Sequence, residues 1–453
     1  MSPHRDLIRI FKAYDVRGVV PGDLDEDVAR RIGSAFAEWS GAPRLLLGRD
    51  CRLSSDELAA AFSDGATARG SDVVDLGLAS TDLLYFASGS LDLPGAMLTA
   101  SHNPPEWNGL KFCLAGAAPV AEDTGLIDIR ALAERDRYAP FASRGRVERA
   151  NLLDPYVDHV VSFVNPDAMA SLTVVADTAN GMGGLVVPPV MARLPVTLVH
   201  LFPDLDGTFP NHPADPINPQ NTRDLRAAVP EHGADIGLAF DGDADRVFLV
   251  DERAEGVSGS LVTALVAEAM LKRHPNSRIV YNLICSWVVP EVIREHGGEP
   301  VRTRVGHSFI KRVMADTGAV FGGEHSGHYY FRENYRADSG LIAAVVVLAQ
   351  LGAAGVTLSE LLAPYDRYRD SGEINSEVAD QSATIEEIAA AFPDGRQDRV
   401  DGLTVEFDDW WFNVRPSNTE PLLRLNVEAT TEELLRAKTD LVLGMIRREG
   451  GPA

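Results

Sequence analysis

Three aspartates at alternate positions, Asp241, Asp243 and Asp245, lie between two short apolar runs, Ile236 to Phe240 and Val247 to Val250. No other stretch constrains the chain as strongly. Apolar runs of this length, separated by turn-forming residues, read as buried strands joined by a loop. Carboxylates held this close repel one another and resist ionisation unless a cation neutralises them, and a hard divalent ion suits an all-oxygen cage. An EF-hand also begins with alternating acids, and Glu252 falls at its twelfth position, but the sixth, which needs glycine, is Arg246. A solvated acidic turn is the bland alternative. Arg246 argues against it, because a guanidinium beside a carboxylate cage suits a site that also handles phosphate.

Length and charge narrow the partners. A chain of 453 residues is too long for one ordinary core, and three or four domains are expected. Lys and Arg number 42 against 66 Asp and Glu, a formal charge of -24, which disfavours nucleic acid and anionic membrane as partners. Any phosphate-binding surface must therefore be locally basic. Cys51, Cys113 and Cys285 are an odd number without a C-x-x-C pair, so neither a disulfide framework nor a zinc site is expected and a reducing cytoplasm fits. Met1 to Tyr14, interrupted by Arg5, Arg9 and Lys12, lacks the apolar core of a signal peptide. Gly340 to Val356 is uncharged but falls short of the usual ~20-residue span and reads as a buried helix.

Along the chain, Val28, Ile32, Phe36 and Trp39 recur at helical spacing behind an acidic start. A strand at Arg44 to Gly48 follows, then a capping-box pattern at Ser54-Ser-Asp-Glu57 opening a second helix, then strands at Val73 to Leu76 and Ala96 to Thr99. The alternation predicts a mainly parallel sheet with loaded loops at strand ends. It recurs in pattern, though not in residues, from the strand Leu172 to Thr178 to the acidic loop. A third unit runs from a helix at Leu261 to Lys272, through a strand at Arg278 to Ile284, to a strand at Ala319 to Gly322. Arg369-Asp-Ser-Gly-Glu373 reads as a hinge. Strands at Leu403 to Phe407, Trp410 to Val414 and Leu422 to Val427 before a helix at Glu432 to Arg448 then predict a smaller α+β domain. The expected fold is thus α/β, with three consecutive mixed α/β domains of shared topology over 1–145, 146–252 and 253–368. A C-terminal α+β domain over 369–453 completes it around a central cleft.

Each unit ends in a chemically loaded loop. In Thr99-Ala-Ser-His-Asn-Pro104, Ser101 sits on a turn-constrained segment and is either a nucleophile or a plain turn former. His102, its neighbour in sequence, is expected to be out of reach of the Ser101 hydroxyl and so structural. Lys111, in the strand beyond, is the better acid/base candidate if partly desolvated. In Gly323-Glu-His-Ser-Gly-His328, Glu324 and Ser326 stand two residues apart, a spacing that would aim both at vicinal sugar hydroxyls, although a polar turn explains them as well. Arg415-Pro-Ser-Asn-Thr with Arg424 offers guanidinium, hydroxyl and amide donors suited to a phosphate dianion, while pairing of these arginines with nearby acids is the alternative.

Together with Phe11-Lys-Ala-Tyr-Asp-Val-Arg-Gly18 and Asp241-Gly-Asp-Ala-Asp-Arg246, these loops resemble, in order and from near residue 8 to near residue 440, the signature set of the α-D-phosphohexomutases. The resemblance is closest to the branch acting on mannose phosphates. It implies that Ser101 rests as phosphoserine, with Asp241, Asp243, Asp245 and one phosphoseryl oxygen holding one magnesium ion. It implies that Arg17 and Arg246 contact that phosphoryl group and that Lys111 and His307 serve as general acid or base. Glu324 and Ser326 would hold sugar hydroxyls. Arg415, Ser417, Asn418, Thr419 and Arg424 would grip the non-reacting phosphate. The implied activity is reversible interconversion of hexose 1- and 6-phosphates, mannose and also glucose, activated by hexose 1,6-bisphosphate, in a cytoplasmic monomer or homodimer.

Several positions depart from the family pattern. Trp107 replaces a more usual Tyr, and Ile284 lies where some dual-specificity members carry Lys, which bears on the balance between mannose and glucose. His325 and Asn418, in place of the usual Gln and Gly, argue against the glucosamine phosphate branch. A sugar-phosphate hydrolase is the nearest rival, since the same groups can direct water. A non-catalytic binder has no use for Ser101, Lys111 and three aspartates together.

Overall fold

The computed structural model describes residues 7–135, 143–417 and 422–447. Three α/β units share one strand order. In the first, Trp107–Leu114 lies antiparallel to Gly95–Leu98, followed across the sheet by the parallel strands Arg44–Arg49 and Asp72–Leu78. In the second the same places are taken by Val247–Asp251, Ile236–Phe240, Leu172–Asp177 and Val196–Leu201. In the third they are taken by Tyr329–Phe331, Phe321–Gly323, Arg278–Asn282 and Glu299–Thr303. The serine, aspartate and sugar loops are therefore one structural element three times over: the reversal from a parallel strand into its antiparallel neighbour.

Local sequence explains these elements. Asp25 caps Glu26–Ser40 by accepting from the Val28 amide at 3.0 Å, and Gly41 ends the helix in the left-handed region. Its apolar face brings Phe36 against Phe62 and Phe112, and burying rings of this size is worth roughly 2–3 kcal/mol each. Gly340–Ala354 is a buried helix, as its uniform apolarity predicts, and among the described residues no helix is long and apolar enough to cross a membrane.

One core runs through the second and third units and takes in Leu83 and Phe86 of the first, whereas the fourth has its own, around Ile388, Phe412, Leu425 and Val442. The fourth sheet is wholly antiparallel, in the order Arg369–Glu377, Leu422–Ala429, Trp410–Pro416, Leu403–Glu406, Arg396–Asp398. Two expectations need correction. Arg369 to Glu373 is not an open hinge but part of an edge strand, irregular between Asp370 and Glu373, because each side pairs with Leu422–Ala429. Ser54 precedes the helix Ser55–Ala68 without the side-chain capping bond, since its own backbone is helical. The first sheet also takes in Val147–Arg149, paired with Asp72–Leu78.

Candidate active site

The serine and aspartate loops meet in the interior. Ser101 has φ +50°, a region L residues seldom occupy, and Arg52 holds it there. That buried guanidinium donates to the carbonyls of Ser101, Asn103, Pro104 and Trp107 at 2.6 to 2.9 Å and is balanced by Asp50 at 3.1 Å. The Ser101 hydroxyl donates to Asp241 Oδ2 at 2.8 Å. Gly242 makes the approach possible, because a Cβ there would lie 2.4 Å from the Ser101 carbonyl oxygen.

Contrary to expectation, His102 does reach its neighbour: the left-handed turn brings its Nδ1 within 3.2 Å of Ser101 Oγ. Arg246 Nη2 also lies 2.6 Å from that nitrogen. Burial, then the charges of Arg246 and Arg17, push the imidazole down to about 2. It is therefore a neutral acceptor.

The acidic loop is buried, and one carboxylate oxygen from each of Asp241, Asp243 and Asp245 lies within 4.8 Å of the others. Lys111 Nζ bridges Asp243 Oδ2 at 2.7 Å and Asp245 Oδ2 at 2.5 Å. Thr81 adds its hydroxyl to Asp243 Oδ2 at 2.6 Å, and its amide meets the Asp243 carbonyl at 3.0 Å. Burial and the two neighbouring aspartates push Asp241 up to about 7 against the pull of Arg246, whose Nε donates to it at 2.9 Å. Burial opposes ionisation of Asp243 too, but the Lys111 ammonium outweighs it and holds that carboxyl below the usual range. The same aspartates hold Lys111 well above its ordinary value despite burial, so it is a charged counter-ion here and not a lowered base.

Asp243 Oδ1 and Asp245 Oδ1 are buried without a hydrogen-bond partner among the described residues. A buried carboxylate oxygen left unmatched is costly, and two of them in an all-oxygen cluster fit a hard divalent cation.

Of the other predicted residues, Arg17, Arg415, Ser417 and Arg424 line a cleft of about 580 Å³, whereas Glu324 and Ser326 do not. Among the described residues, Lys12, Arg17, Arg304, Arg415 and Arg424 line it against Asp15 and Asp401, the local basicity an acidic chain needs to hold phosphate. Arg17 pairs with Asp15 at 2.8 Å and bonds Asn103 Oδ1. His307 begins the helix His307–Thr317, directly after Arg304 to Gly306 on the cleft wall. Ser417 lines the cleft; Asn418 and Thr419 lie outside the described residues. Arg415 and Arg424 share Glu373, Arg415 through Nη2 and Arg424 at 3.4 Å, while Arg424 Nε is buried with no hydrogen-bond partner among the described residues.

Glu324 is 2 % exposed, accepting from Asn282 at 3.1 Å, the Gly306 amide at 3.2 Å and Tyr330 at 2.6 Å, whereas Ser326 is half-exposed. His328, at the end of the same loop, lies 3.0 Å from Asp338 and clusters with Asp245. Against the effect of burial, these two carboxylates raise its pKa.

Sequence reasoning missed Arg52, Thr81, Glu373 and Asp401. Each acts on a partner remote along the chain, so no local signal marks it.

A serine aimed at an anionic cage, facing a basic cleft, has the inventory for moving a phosphoryl group between oxygens. Comparison with known proteins agrees. Descriptions of the phosphoglucomutase/phosphomannomutase family match residues 8–138 (alpha/beta/alpha domain I), 154–256 (domain II), 258–368 (domain III) and 373–442 (C-terminal domain). A phosphomannomutase from Salmonella montevideo is 41% identical over 450 residues, covering 96% of this chain and 98% of the relative. A protein from Xanthomonas campestris pv. campestris described as "phosphohexose mutases" is 39% identical over 442 residues, covering 96% and 99%. The crystal structure of a phosphoglucomutase/phosphomannomutase family protein from Burkholderia thailandensis superposes with a TM-score of 0.90 at 34% identity, covering 98% of each chain. The chain belongs to the phosphoglucomutase/phosphomannomutase family and is an isomerase of the phosphohexomutase type.

Proposed function

We propose that the chain is a phosphomannomutase, interconverting mannose 1-phosphate and mannose 6-phosphate and accepting glucose phosphates as well. The observation that carries the reading is the Ser101 hydroxyl 2.8 Å from Asp241 beside two unmatched buried carboxylate oxygens. The names of its relatives at 39–41% identity support the substrate class.

Asp241, Asp243 and Asp245, with Ser101, would hold magnesium, which when bound supplies positive charge to the equatorial oxygens of the transferred group. Ser101, resting as phosphoserine, gives its phosphoryl group to the free hydroxyl of a bound hexose phosphate: the Ser101 Oγ–P bond breaks as the sugar O–P bond forms. His307 takes the hydroxyl proton, and Lys111, held charged between Asp243 and Asp245, serves as the acid. Arg17 and Arg246 balance charge on the phosphoryl oxygens. Arg415, Ser417, Asn418, Thr419 and Arg424 grip the other phosphate, and Glu324 and Ser326 the sugar hydroxyls; Glu324 Oε2, with one donor, keeps a free lone pair. The hexose 1,6-bisphosphate then turns end for end and returns its other phosphoryl group to Ser101.

Phosphorus NMR of the purified protein with mannose 1-phosphate, magnesium and a trace of bisphosphate tests this. Mannose 6-phosphate should accumulate, faster than the corresponding product from glucosamine phosphate. Release of inorganic phosphate without the isomer would make the protein a hydrolase instead.

A further inference from the structure

One turn of the fourth unit touches both the phosphate grip and the wall that leads to His307. The Asp401 carboxylate accepts from the Val305 amide at 3.1 Å and lies 3.9 Å from Arg304. Behind it, Asn413 donates to the Asp401 carbonyl at 2.9 Å and accepts from Arg415 at 3.3 Å. Gly402, at φ +65°, sits so tightly on this strand that a Cβ would lie 2.2 Å from the Val414 carbonyl oxygen and 2.6 Å from Arg415 Cα. The turn therefore cannot shift without moving the backbone that carries Arg415.

On the other side, the next amide of the same wall, Gly306, donates to Glu324 at 3.2 Å. Tyr14 of the first unit packs against Gly306, where its hydroxyl would lie 2.6 Å from an added Cβ. Two consecutive amides are thus held by two carboxylates, Asp401 of the fourth unit and Glu324 of the third. Only the Asp401 bond depends on where the fourth unit sits.

We propose that Asp401 is a positioning residue for the mutase reaction: its hydrogen bond to Val305 couples the seating of phosphate in the fourth unit to the conformation of the loop that carries His307. This rests on the mutase reading. A phosphate drawn in by Arg415 and Arg424 fixes the strand on which the Asp401–Gly402 turn is packed. Asp401 then pins the loop at Val305, and the following residues are set for proton transfer. Bisphosphate reorientation needs the reverse, because the wall must loosen when the grip is released.

Full-length Asp401→Ala and Asp401→Asn are compared with wild type in two measurements. One is backbone hydrogen exchange of segment 303–309, with and without mannose 1-phosphate; the other is steady-state kinetics. In Asp401→Ala, exchange of the segment and loss of kcat/KM should both rise about tenfold, the scale of one lost hydrogen bond, with phosphorylation of Ser101 unchanged. Asp401→Asn keeps an acceptor oxygen for Val305 and should stay within about threefold of wild type in both. Asp401→Ser, too short to reach the amide, serves if the alanine variant does not fold.

Wild-type exchange in Asp401→Ala overturns the proposal, as does fast exchange with wild-type kinetics. An asparagine variant as impaired as alanine overturns it too, because the charge toward Arg304 would then be what matters. A wild-type protein that isomerises no hexose phosphate removes the mutase reading instead. Substrate-dependent protection of 303–309, present in wild type and lost in Asp401→Ala, would still identify the coupling.

Discussion

Ser101 holds its hydroxyl in a left-handed turn at a cost of roughly 1–3 kcal/mol, and the four carbonyls gathered by Arg52 show what offsets it. Ser101→Ala should keep the turn and lose the chemistry. Intact-mass measurement should show a phosphoryl adduct on wild type and none on the variant, with turnover down by about 10³-fold or more; undiminished turnover with bisphosphate present would refute the assignment. Asp243 supports a separate expectation. Asparagine keeps its shape but removes charge from a carboxylate that now meets Lys111 and Thr81 and leaves Oδ1 unmatched. Asp243→Asn should cut turnover by roughly 10²–10³-fold and abolish the rise in melting temperature that magnesium gives wild type. A magnesium-dependent shift of wild-type size in the variant would exclude Asp243 as a ligand.

At the scale of elements, the strand Leu422–Ala429 joins the fourth unit to the third through Glu428. Its Oε1 accepts from the Trp287 amide at 2.9 Å and from Trp411 Nε1 at 2.8 Å. Burial pushes this carboxyl up to about 7 from an ordinary 4.5. A carboxyl raised on folding binds more protons native than unfolded, so its contribution is complete below about 4.5 and is lost as pH rises through about 7. The loss is on the order of 3 kcal/mol. Melting of wild type should fall over that window, and Glu428→Gln should flatten the fall. Parallel pH profiles for the two proteins would show that Glu428 ionises freely.

For the whole molecule, the fourth unit has a separate core yet supplies Arg415 and Arg424 to a cleft whose other walls come from the first and third units. Grip and chemistry are thus separable. Arg424→Ala removes one charge-assisted contact, worth about 1.5–3 kcal/mol. The Michaelis constant should rise accordingly and turnover should depend more on added bisphosphate, because a weak grip lets the intermediate escape. Ser101 should still carry phosphate. Loss of that phosphate with unchanged substrate affinity would place Arg424 at the reacting centre.

The three loaded loops, the helix carrying Val28, Ile32 and Phe36, and the buried run at Gly340 were legible in the chain itself. Periodicity, caps and turn residues act within a few positions, and each loop lies between its own two strands. Packing alone decided what those loops meet. Lys111 became the counter-ion of Asp243 and Asp245, Glu373 came to lie between Arg415 and Arg424, and Glu324 was drawn inward by Asn282, Gly306 and Tyr330. His102 reached the Ser101 hydroxyl because of a backbone turn that its neighbours permit but do not announce. The sequence by itself determined which groups stand at the ends of strands. Which of them are charged, paired or left unmatched depended on partners far along the chain, because burial and Coulomb interaction follow distance in space.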